Sequence, residues 1–301
     1  MDDAYIDRIG EFVSQRSGLS FSGRKREALR HRLEKRLKKL GLANLAAYWD
    51  YLKQTSGEEA RLLDCLTTNE TFFFRNQDQF SYLRDVIIPD IQTLRGMDVV
   101  RSWGGSSRVP ASSIMKLRIL SAGCSTGEEP YSIAMTLLES LRYPKAWNLE
   151  IVAGDLNASC LEAAVEGYYE EEKLKNIPDS YVDKYMQQNA DGAVIREEVK
   201  KMVSFTHLNL DGLMKGEPFP GYVSLPEPFD IIFCRNVMIY FSASCQQMLV
   251  DTLHQLLVPG GYLFTGDAEP LHLFDHSFEM LKGARCLIYK KTEMTNYVEP
   301  L

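Results

Sequence analysis

A glycine-rich turn between an apolar run and a helical pattern carries the clearest chemical signal in the sequence. Residues 117–122 (LRILSA) have the composition of a buried strand, and Gly123, Ser125, Gly127 and Glu128 follow in the segment GCSTGEEPYS. Glycines in such a turn allow a tight bend and a close approach of the backbone to a ligand. The turn therefore predicts a nucleotide-type ligand, although Ser125 replaces the middle glycine of the dinucleotide pattern GxGxxG.

An aspartate stands at the end of the next predicted strand. Asp155 follows residues 149–154 (LEIVAG) and lies 32 residues after Gly123. Rossmann-like folds present an acid near this position to the two hydroxyl groups of a ribose. The same residue could instead cap the helix that begins near Asn157, and the glycine turn could be a plain connection. These two features alone leave a ligand site and a structural role equally open.

Three further segments favour the ligand site. Residues 229–241 (FDIIFCRNVMIYF) place polar and aromatic side chains just after a predicted strand, where α/β sheets bind ligands. Residues 256–264 (LLVPGGYLF) form a proline-glycine turn into another strand. Residues 67–75 (TTNETFFFR) are a polar-aromatic run, which could alternatively be a capped helix start with core aromatics. The combination of segments is more specific than any one of them.

Composition excludes several classes of function. The six cysteines contain no CxxC pair and the five histidines no HExxH spacing, so we expect no metal site. The formal net charge of -7 disfavours nucleic acid as a partner. The sequence contains neither an apolar run of about 18 residues nor a secretory signal. We therefore expect a cytoplasmic protein without membrane insertion.

The pattern of apolar residues predicts two domains of different class. Residues 1–75 have helical periodicity, and residues 76–116 are expected to form a linking helix to about Leu94 and then a flexible loop. From residue 117 to 301, short apolar strands alternate with helical stretches, which is typical of a parallel sheet covered on both faces. The predicted fold class is thus α/β with a small all-α N-terminal domain.

The segments NETFFFR, GCSTGEEPYS, FDIIFCRNVMIYF and LVPGGYLF together resemble, in order and spacing, those of the CheR family. Its members are chemotaxis receptor methyltransferases that esterify protein glutamates with S-adenosylmethionine, and the resemblance extends over nearly the whole chain. It implies a class I methyltransferase Rossmann-like sheet with a small antiparallel β insertion near residues 176–206. The family's peptide-binding hairpin is glycine-rich, whereas residues 188–192 contain one glycine, so we do not expect peptide tethering.

The resemblance also implies the roles of individual residues. Arg75 and Tyr240 would be catalytic, with Tyr240 near the transferring methyl group. An active-site arginine shortly before the first strand is implied as well, and its candidates are Arg84, Arg95 and Arg101. The residues implied in cofactor binding are Asn69, Thr71 and Arg75 at the methionine end, Gly123 in the turn, Glu128 at the amino group, Asp155 on the ribose, and Asn209, Leu210, Arg235 and Asn236 on the adenosine side.

The implied chemistry suits this set of residues. A glutamate side chain has a pKa of about 4.3, so it is an ionised nucleophile at neutral pH and needs no general base. The enzyme's main contribution would be positioning in a pocket built from Phe72, Phe73, Phe74 and Tyr240. The alternatives are a methyltransferase for small molecules or nucleic acid on the same scaffold, and a signalling adaptor without activity.

A basic helix predicts the partner surface. Residues 22–40 contain nine basic and two acidic side chains, which gives this segment a charge of +7 and leaves -14 for the rest. Helical spacing places four leucines on one side and five cations on the other. Such a face could be merely solvated, but it would also attract acidic cytoplasmic helices of methyl-accepting chemoreceptors. The candidate partner-binding residues are Arg24, Arg32, Lys35, Lys38 and Lys39.

Overall fold

The computed structural model of the protein describes residues 2–67, 69–103, 115–221, 226–282 and 285–292. The N-terminal domain is built from α-helices, which are α1 (Asp2–Ser17), α2 (Arg24–Leu40), α3 (Leu45–Gln54) and α4 (Glu58–Leu66). The predicted apolar stripe of α1 and the first leucines of the α2 stripe form the core of this domain. The all-α character predicted from the sequence is confirmed.

A buried ion pair lies inside this helical domain. Two nitrogens of Arg36 donate to the carboxylate of Glu58 at 2.9 and 2.5 Å, and the Tyr48 hydroxyl donates to the same carboxylate at 2.9 Å. Glu58 is fully buried and Arg36 nearly so. Because a buried charge is costly without a partner, these bonds fix α2 against α3 and α4. Arg36 is thus a cation of the basic helix that points into the core of the domain.

The connection between the domains is more helical than the sequence indicates. It consists of α5 (Gln77–Tyr82), a π-helical turn (Leu83–Ile87) and α6 (Ile88–Trp103). The loop was expected to begin at residue 95, but the helix continues to Trp103. A lone glycine such as Gly96 costs a helix only about 1 kcal/mol, so it does not end one. The rest of the expected loop, residues 104–114, lies outside the described residues.

Within the described residues, the C-terminal domain contains ten strands, which form two sheets. In chain order they are β1 (Met115–Ala122), β2 (Trp147–Asp155), β3 (Tyr168–Glu170), β4 (Met186–Asn189), β5 (Gly192–Ile195), β6 (Val203–His207), β7 (Phe229–Cys234), β8 (Leu257–Thr265), β9 (Phe278–Met280) and β10 (Ile288–Lys291). The larger sheet has the order β6-β2-β1-β7-β8-β10-β9, and its first five members are parallel. The predicted methyltransferase-like α/β fold is confirmed.

The smaller sheet is antiparallel, with the order β3-β5-β4. Its strands span residues 168–195, which we call the antiparallel subdomain, so it begins and ends earlier than the expected region at 176–206. Residues 203–207 form β6 and belong to the larger sheet. The helices of this domain are α7 (Glu128–Ser140), α8 (Ala158–Glu166), α9 (Glu171–Leu174), α10 (Asp179–Tyr185), α11 (Glu197–Lys200), α12 (Leu210–Met214) and α13 (Ala243–Leu256).

The register of the parallel strands determines where a site can form. Ala122 of β1 is paired with Gly154 of β2 on one side and with Cys234 of β7 on the other. The residues that follow these three strands therefore meet at one edge of the sheet, the edge at which α/β folds bind ligands.

Among the described residues, no helix combines the length and apolar composition needed to cross a bilayer.

Candidate functional site

A cleft lies at this edge of the sheet, between the C-terminal domain and the N-terminal helices. It encloses about 1000 Å³, a volume that includes space open to solvent. Ten of the residues predicted to bind the cofactor or act in catalysis line it. They are Asn69, Thr71, Arg75, Gly123, Asp155, Asn209, Leu210, Arg235, Asn236 and Tyr240.

The glycine turn has the geometry that its sequence predicts. Gly123 has a φ of 81°, and a Cβ atom added to it would lie 2.4 Å from a methyl group of Val237. Gly127 has a φ of 93° and lies against Ala164 and the Tyr169 hydroxyl. Ser125, in place of the middle glycine, adopts a φ of 49°. Any larger residue at the two glycines would push the turn out of position.

The side chain of Asp155 holds the backbone of this turn in place. One carboxylate oxygen accepts from the amide of Ser125 at 2.7 Å, and the other accepts from the amide of Asn157 at 2.8 Å. Burial raises the pKa of Asp155, and the amide donors oppose that rise. The cap of α8 is the side chain of Asn157, which accepts from the Cys160 amide at 2.9 Å. The alternative role of Asp155 as the helix cap is therefore not what the structure shows.

The two glutamates that follow the turn face different surroundings. Glu129 lines the cleft, accepts from the Ser121 hydroxyl at 2.7 Å and pairs with Arg235 at 3.1 Å. Burial raises the pKa of Glu129, and the Arg235 guanidinium opposes the rise. Glu128 does not line the cleft and instead pairs with Lys173 at 2.5 Å. The expectation for Glu128 is thus corrected, because the start of α7 turns Glu129 and not Glu128 toward the cleft.

Arg235 joins three parts of the cleft wall. Besides Glu129, its guanidinium donates to the Arg75 carbonyl at 2.5 Å and to the side-chain oxygen of Asn76. The cleft wall thus contains two arginines, Arg75 and Arg235. Neither Arg84, which pairs with Asp85, nor Arg95, which pairs with Asp230 near the other end of β7, lines the cleft. The Arg101 side chain lies outside the described residues.

The polar-aromatic segment contributes to both the cleft and the core. Arg75 donates to the Glu70 carbonyl at 2.9 Å, and its guanidinium lies 5.6 Å from the centre of the Phe72 ring. Phe72 lines the cleft, whereas Phe73 and Phe74 are buried in the core of the C-terminal domain. Of the pocket aromatics expected here, Phe72 and Tyr240 are therefore in the wall, and the other two support it.

Backbone strain is concentrated around this cleft. Among the described residues, the non-glycine positions with a positive φ are Phe74, Asn76, Ser125 and Asn236, at 54°, 61°, 49° and 59°. All four belong to the segments that form the cleft. Such conformations cost on the order of 1 kcal/mol or more each and persist only where the surroundings fix them. Their clustering is typical of a preorganised binding site.

The N-terminal domain closes the other side of the cleft. The Tyr240 carbonyl accepts from the Ser20 amide at 2.9 Å, and the Ile239 carbonyl accepts from the Lys25 ammonium at 2.7 Å. Asn209 caps α12 and donates to the Arg16 carbonyl at 2.7 Å. Both predicted ends of the ligand site are thus bonded to helices of the other domain. The wall residues to which sequence reasoning assigned no site role are Ser17, Leu19, Leu66, Thr67, Glu70, Phe80, Ser125, Glu129, Leu156, Leu208, Val237 and Phe241.

The basic helix presents a smaller outward face than its spacing predicts. Lys35, Lys38 and Lys39 are exposed. Arg32 points inward instead and donates to the carbonyls of Leu66 and Thr67 at the end of α4. The Arg24 side chain lies outside the described residues. Three of the four predicted cations whose side chains are described therefore form the exposed face.

Two buried polar atoms in the wall fit a ligand such as S-adenosylmethionine. The Nε of Arg235 and the side-chain oxygen of Asn236 have no hydrogen-bond partner within the described residues. An amino acid moiety carries a donor and an acceptor that could meet them. At the other end, the Leu156, Leu208 and Leu210 side chains beside Asp155 suit an adenosine group. The residues present thus fit the cofactor.

Comparison with known proteins agrees with this geometry. Residues 69–287 match the family model described as "CheR methyltransferase, SAM binding domain", and residues 4–67 match "CheR methyltransferase, all-alpha domain". The chemotaxis protein methyltransferase of Escherichia coli K12 is 36% identical over 93% of this chain and 89% of its own length. That of Borreliella burgdorferi is 33% identical, covering 88% of each chain.

A relative from Vibrio cholerae, chemotaxis protein methyltransferase 2, is 30% identical over 96% of this chain and 93% of its own length. Both the helical domain and the domain with the cleft are therefore shared with these proteins, and the predicted cofactor agrees with the matching model. The chain belongs to the CheR methyltransferase family and binds S-adenosylmethionine.

Proposed function

We propose that the protein transfers a methyl group from S-adenosylmethionine to glutamate side chains of chemoreceptor-type proteins in the cytoplasm. The observation that carries this proposal is the cleft itself, which joins the cofactor-binding turn to Arg75 and Tyr240 and remains open to solvent. The relatives named as chemotaxis protein methyltransferases support the substrate class. A cytoplasmic location follows from the receptor helices that would be modified.

The proposed roles follow the order of the strands. Asp155 would hold the ribose hydroxyls and Glu129 the amino group, so the bound cofactor would point its sulfonium methyl toward Arg75 and Tyr240. Because β7 lies on the side of β1 away from β2, and Arg235 bonds Glu129, we assign Arg235 and Asn236 to the methionine end. This replaces the adenosine side expected from the resemblance.

The chemistry requires little beyond orientation and exclusion of water. The cofactor supplies an electrophilic methyl group with a good leaving group. A substrate glutamate is already ionised at neutral pH, so Arg75 would orient its carboxylate, and the Tyr240 hydroxyl would position the reacting oxygen. The adaptor alternative has no support in the cleft, because the residues required for binding and orientation are present. A small-molecule substrate stays an outcome of the test below.

The substrate class can be tested with a methyl-labelled cofactor. We expect the purified protein to label a chemoreceptor cytoplasmic fragment, with a label that mild base releases because it is a methyl ester. Arg75→Ala and Tyr240→Phe should lower the rate at least tenfold while the melting temperature changes little. Label that resists base, or appears only in small molecules, would contradict glutamate methylation. Normal rates in both variants would contradict the assignment of the active site.

Asp155 and Glu129, two of the acidic residues in the cleft wall, predict different responses to shortened ligands. Asp155→Ala should weaken binding of both S-adenosylhomocysteine and 5′-methylthioadenosine by about 1 to 3 kcal/mol, because both ligands contain the ribose. Glu129→Gln should weaken S-adenosylhomocysteine by about 1.5 kcal/mol or more beyond its effect on methylthioadenosine, because methylthioadenosine lacks the amino group, whereas loss of the ion pair with Arg235 affects both ligands. Calorimetry measures all four affinities. Equal losses for both ligands in Glu129→Gln would contradict its assigned role.

The exposed basic face is proposed to attract an acidic receptor surface. Reversing three charges (Lys35→Glu, Lys38→Glu and Lys39→Glu) should slow receptor methylation severalfold at low salt, because these cations lie on one exposed face of α2. The difference from the parent should shrink as salt rises, since exposed charges act over about 8 Å at physiological ionic strength. Affinity for S-adenosylhomocysteine should not change, since none of the three lysines lines the cleft.

A matched control separates this face from net charge. Three exposed lysines of the C-terminal domain can be reversed in the same way, namely Lys145, Lys201 and Lys282. This control changes the total charge equally but leaves α2 intact, so methylation should stay close to the parent rate. If both triple variants lose the same activity, the effect belongs to net charge, and the face on α2 has no specific role.

A further inference from the structure

Helix α7 is held at both ends by similar sets of side chains from the region of the antiparallel subdomain. At its start, Lys173 pairs with Glu128 at 2.5 Å. At its end, the Lys184 ammonium and the Tyr185 hydroxyl both bond Glu139, at 2.6 and 2.5 Å. The two sets differ in burial, since Glu128 is fully buried and Glu139 is 27% exposed. They also differ in position, because only the start of α7 adjoins the glycine turn of the cofactor site.

The first set includes the turn itself. Glu128 is fully buried, and its carboxylate accepts from the Thr126 hydroxyl at 2.7 Å as well as from Lys173. The Lys173 ammonium also donates to the Thr126 hydroxyl at 3.2 Å. A buried carboxylate is costly without a cation, so this pair draws Lys173 onto the turn. Thr126 is the direct neighbour of Ser125, whose side chain lines the cleft.

Tyr169 of β3 does not line the cleft but contacts two of the segments that form its walls. Its hydroxyl donates to the Thr126 carbonyl at 2.7 Å and would lie only 2.9 Å from a Cβ atom added to Gly127. Its ring meets Phe73 edge to face, with centroids 4.7 Å apart, and so supports the segment that carries Arg75. Burial raises the pKa of Tyr169 well above its ordinary value, so the hydroxyl stays protonated and keeps donating.

We propose that Tyr169 and Lys173 are positioning residues for S-adenosylmethionine, through which the antiparallel subdomain sets the affinity for the cofactor. Neither side chain lines the cleft. They act on Thr126 and Gly127, next to the strained Ser125, whose amide is bonded to Asp155 on the other side. A strained turn keeps its shape only where contacts on both sides fix it. This role goes beyond the proposed reaction, because it requires no receptor.

The test compares conservative variants of the full chain by calorimetry. Tyr169→Phe removes one hydroxyl and keeps the ring contacts, and Lys173→Met removes the charge. Each should raise the dissociation constant of S-adenosylhomocysteine about tenfold, the typical effect of losing one well-placed hydrogen bond. Lys173→Arg keeps the charge and should return the constant to within about threefold of the parent. Unchanged affinity in Tyr169→Phe and Lys173→Met would overturn the proposal.

The second set of side chains supplies a matched control. Tyr185→Phe and Lys184→Met break the equivalent bonds at the far end of α7, about 16 Å away at 1.5 Å per residue. These variants should also lower the melting temperature, though by less than Lys173→Met because Glu139 is less buried than Glu128, and should leave the dissociation constant within about twofold. If all four variants weaken binding in proportion to their loss of melting temperature, the contacts are only structural and the proposal fails. Because the readout is binding alone, it is independent of which protein is methylated.

Discussion

The ion pair between Arg235 and Glu129 is the interaction on which the cofactor cleft depends. The Arg235 side chain is 1% exposed, and a buried cation costs several kcal/mol unless bonded partners surround it. Burial lowers the pKa of Arg235 and Glu129 opposes that change, but an arginine stays charged throughout. Its partners lie on α7 and in the segment at 75–76, while Arg235 itself follows β7. One guanidinium therefore fixes three walls of the cleft relative to each other.

The N-terminal domain has two tasks that fall on different stretches of α2. The first part of the helix contacts the cleft through Lys25, which bonds the carbonyl of Ile239, and through Arg32, which bonds the end of α4 just before Asn69. The last part of the helix exposes Lys35, Lys38 and Lys39. Under the proposed function, the helix that meets the receptor also supports the two segments that carry the catalytic residues. Substrate recognition and the shape of the active site would then share one structural element.

The sequence allowed the main strands and most of the cleft to be predicted, because parallel strands buried on both faces leave continuous apolar runs and their carboxyl ends must meet. Finer details depended on the fold. Glu128 and Glu129 are adjacent in the sequence, so which of the two side chains faces the cleft depends on the residue at which α7 begins. Arg32 points inward because it bonds carbonyls at the end of α4, and the helical spacing of α2 alone cannot predict a contact with another helix. The strand at 278–280 is too short to show periodicity, and one glycine did not end α6.

The proposed function requires that one cleft between the domains holds the cofactor, with its reactive end at Arg75 and Tyr240. A crystal structure of the full chain with S-adenosylhomocysteine tests this requirement. We expect the ribose hydroxyls on Asp155, the amino group on Glu129, and the sulfur facing the Tyr240 side of the cleft. A ligand bound in the reverse direction, or held by Glu128 outside the cleft, would contradict it.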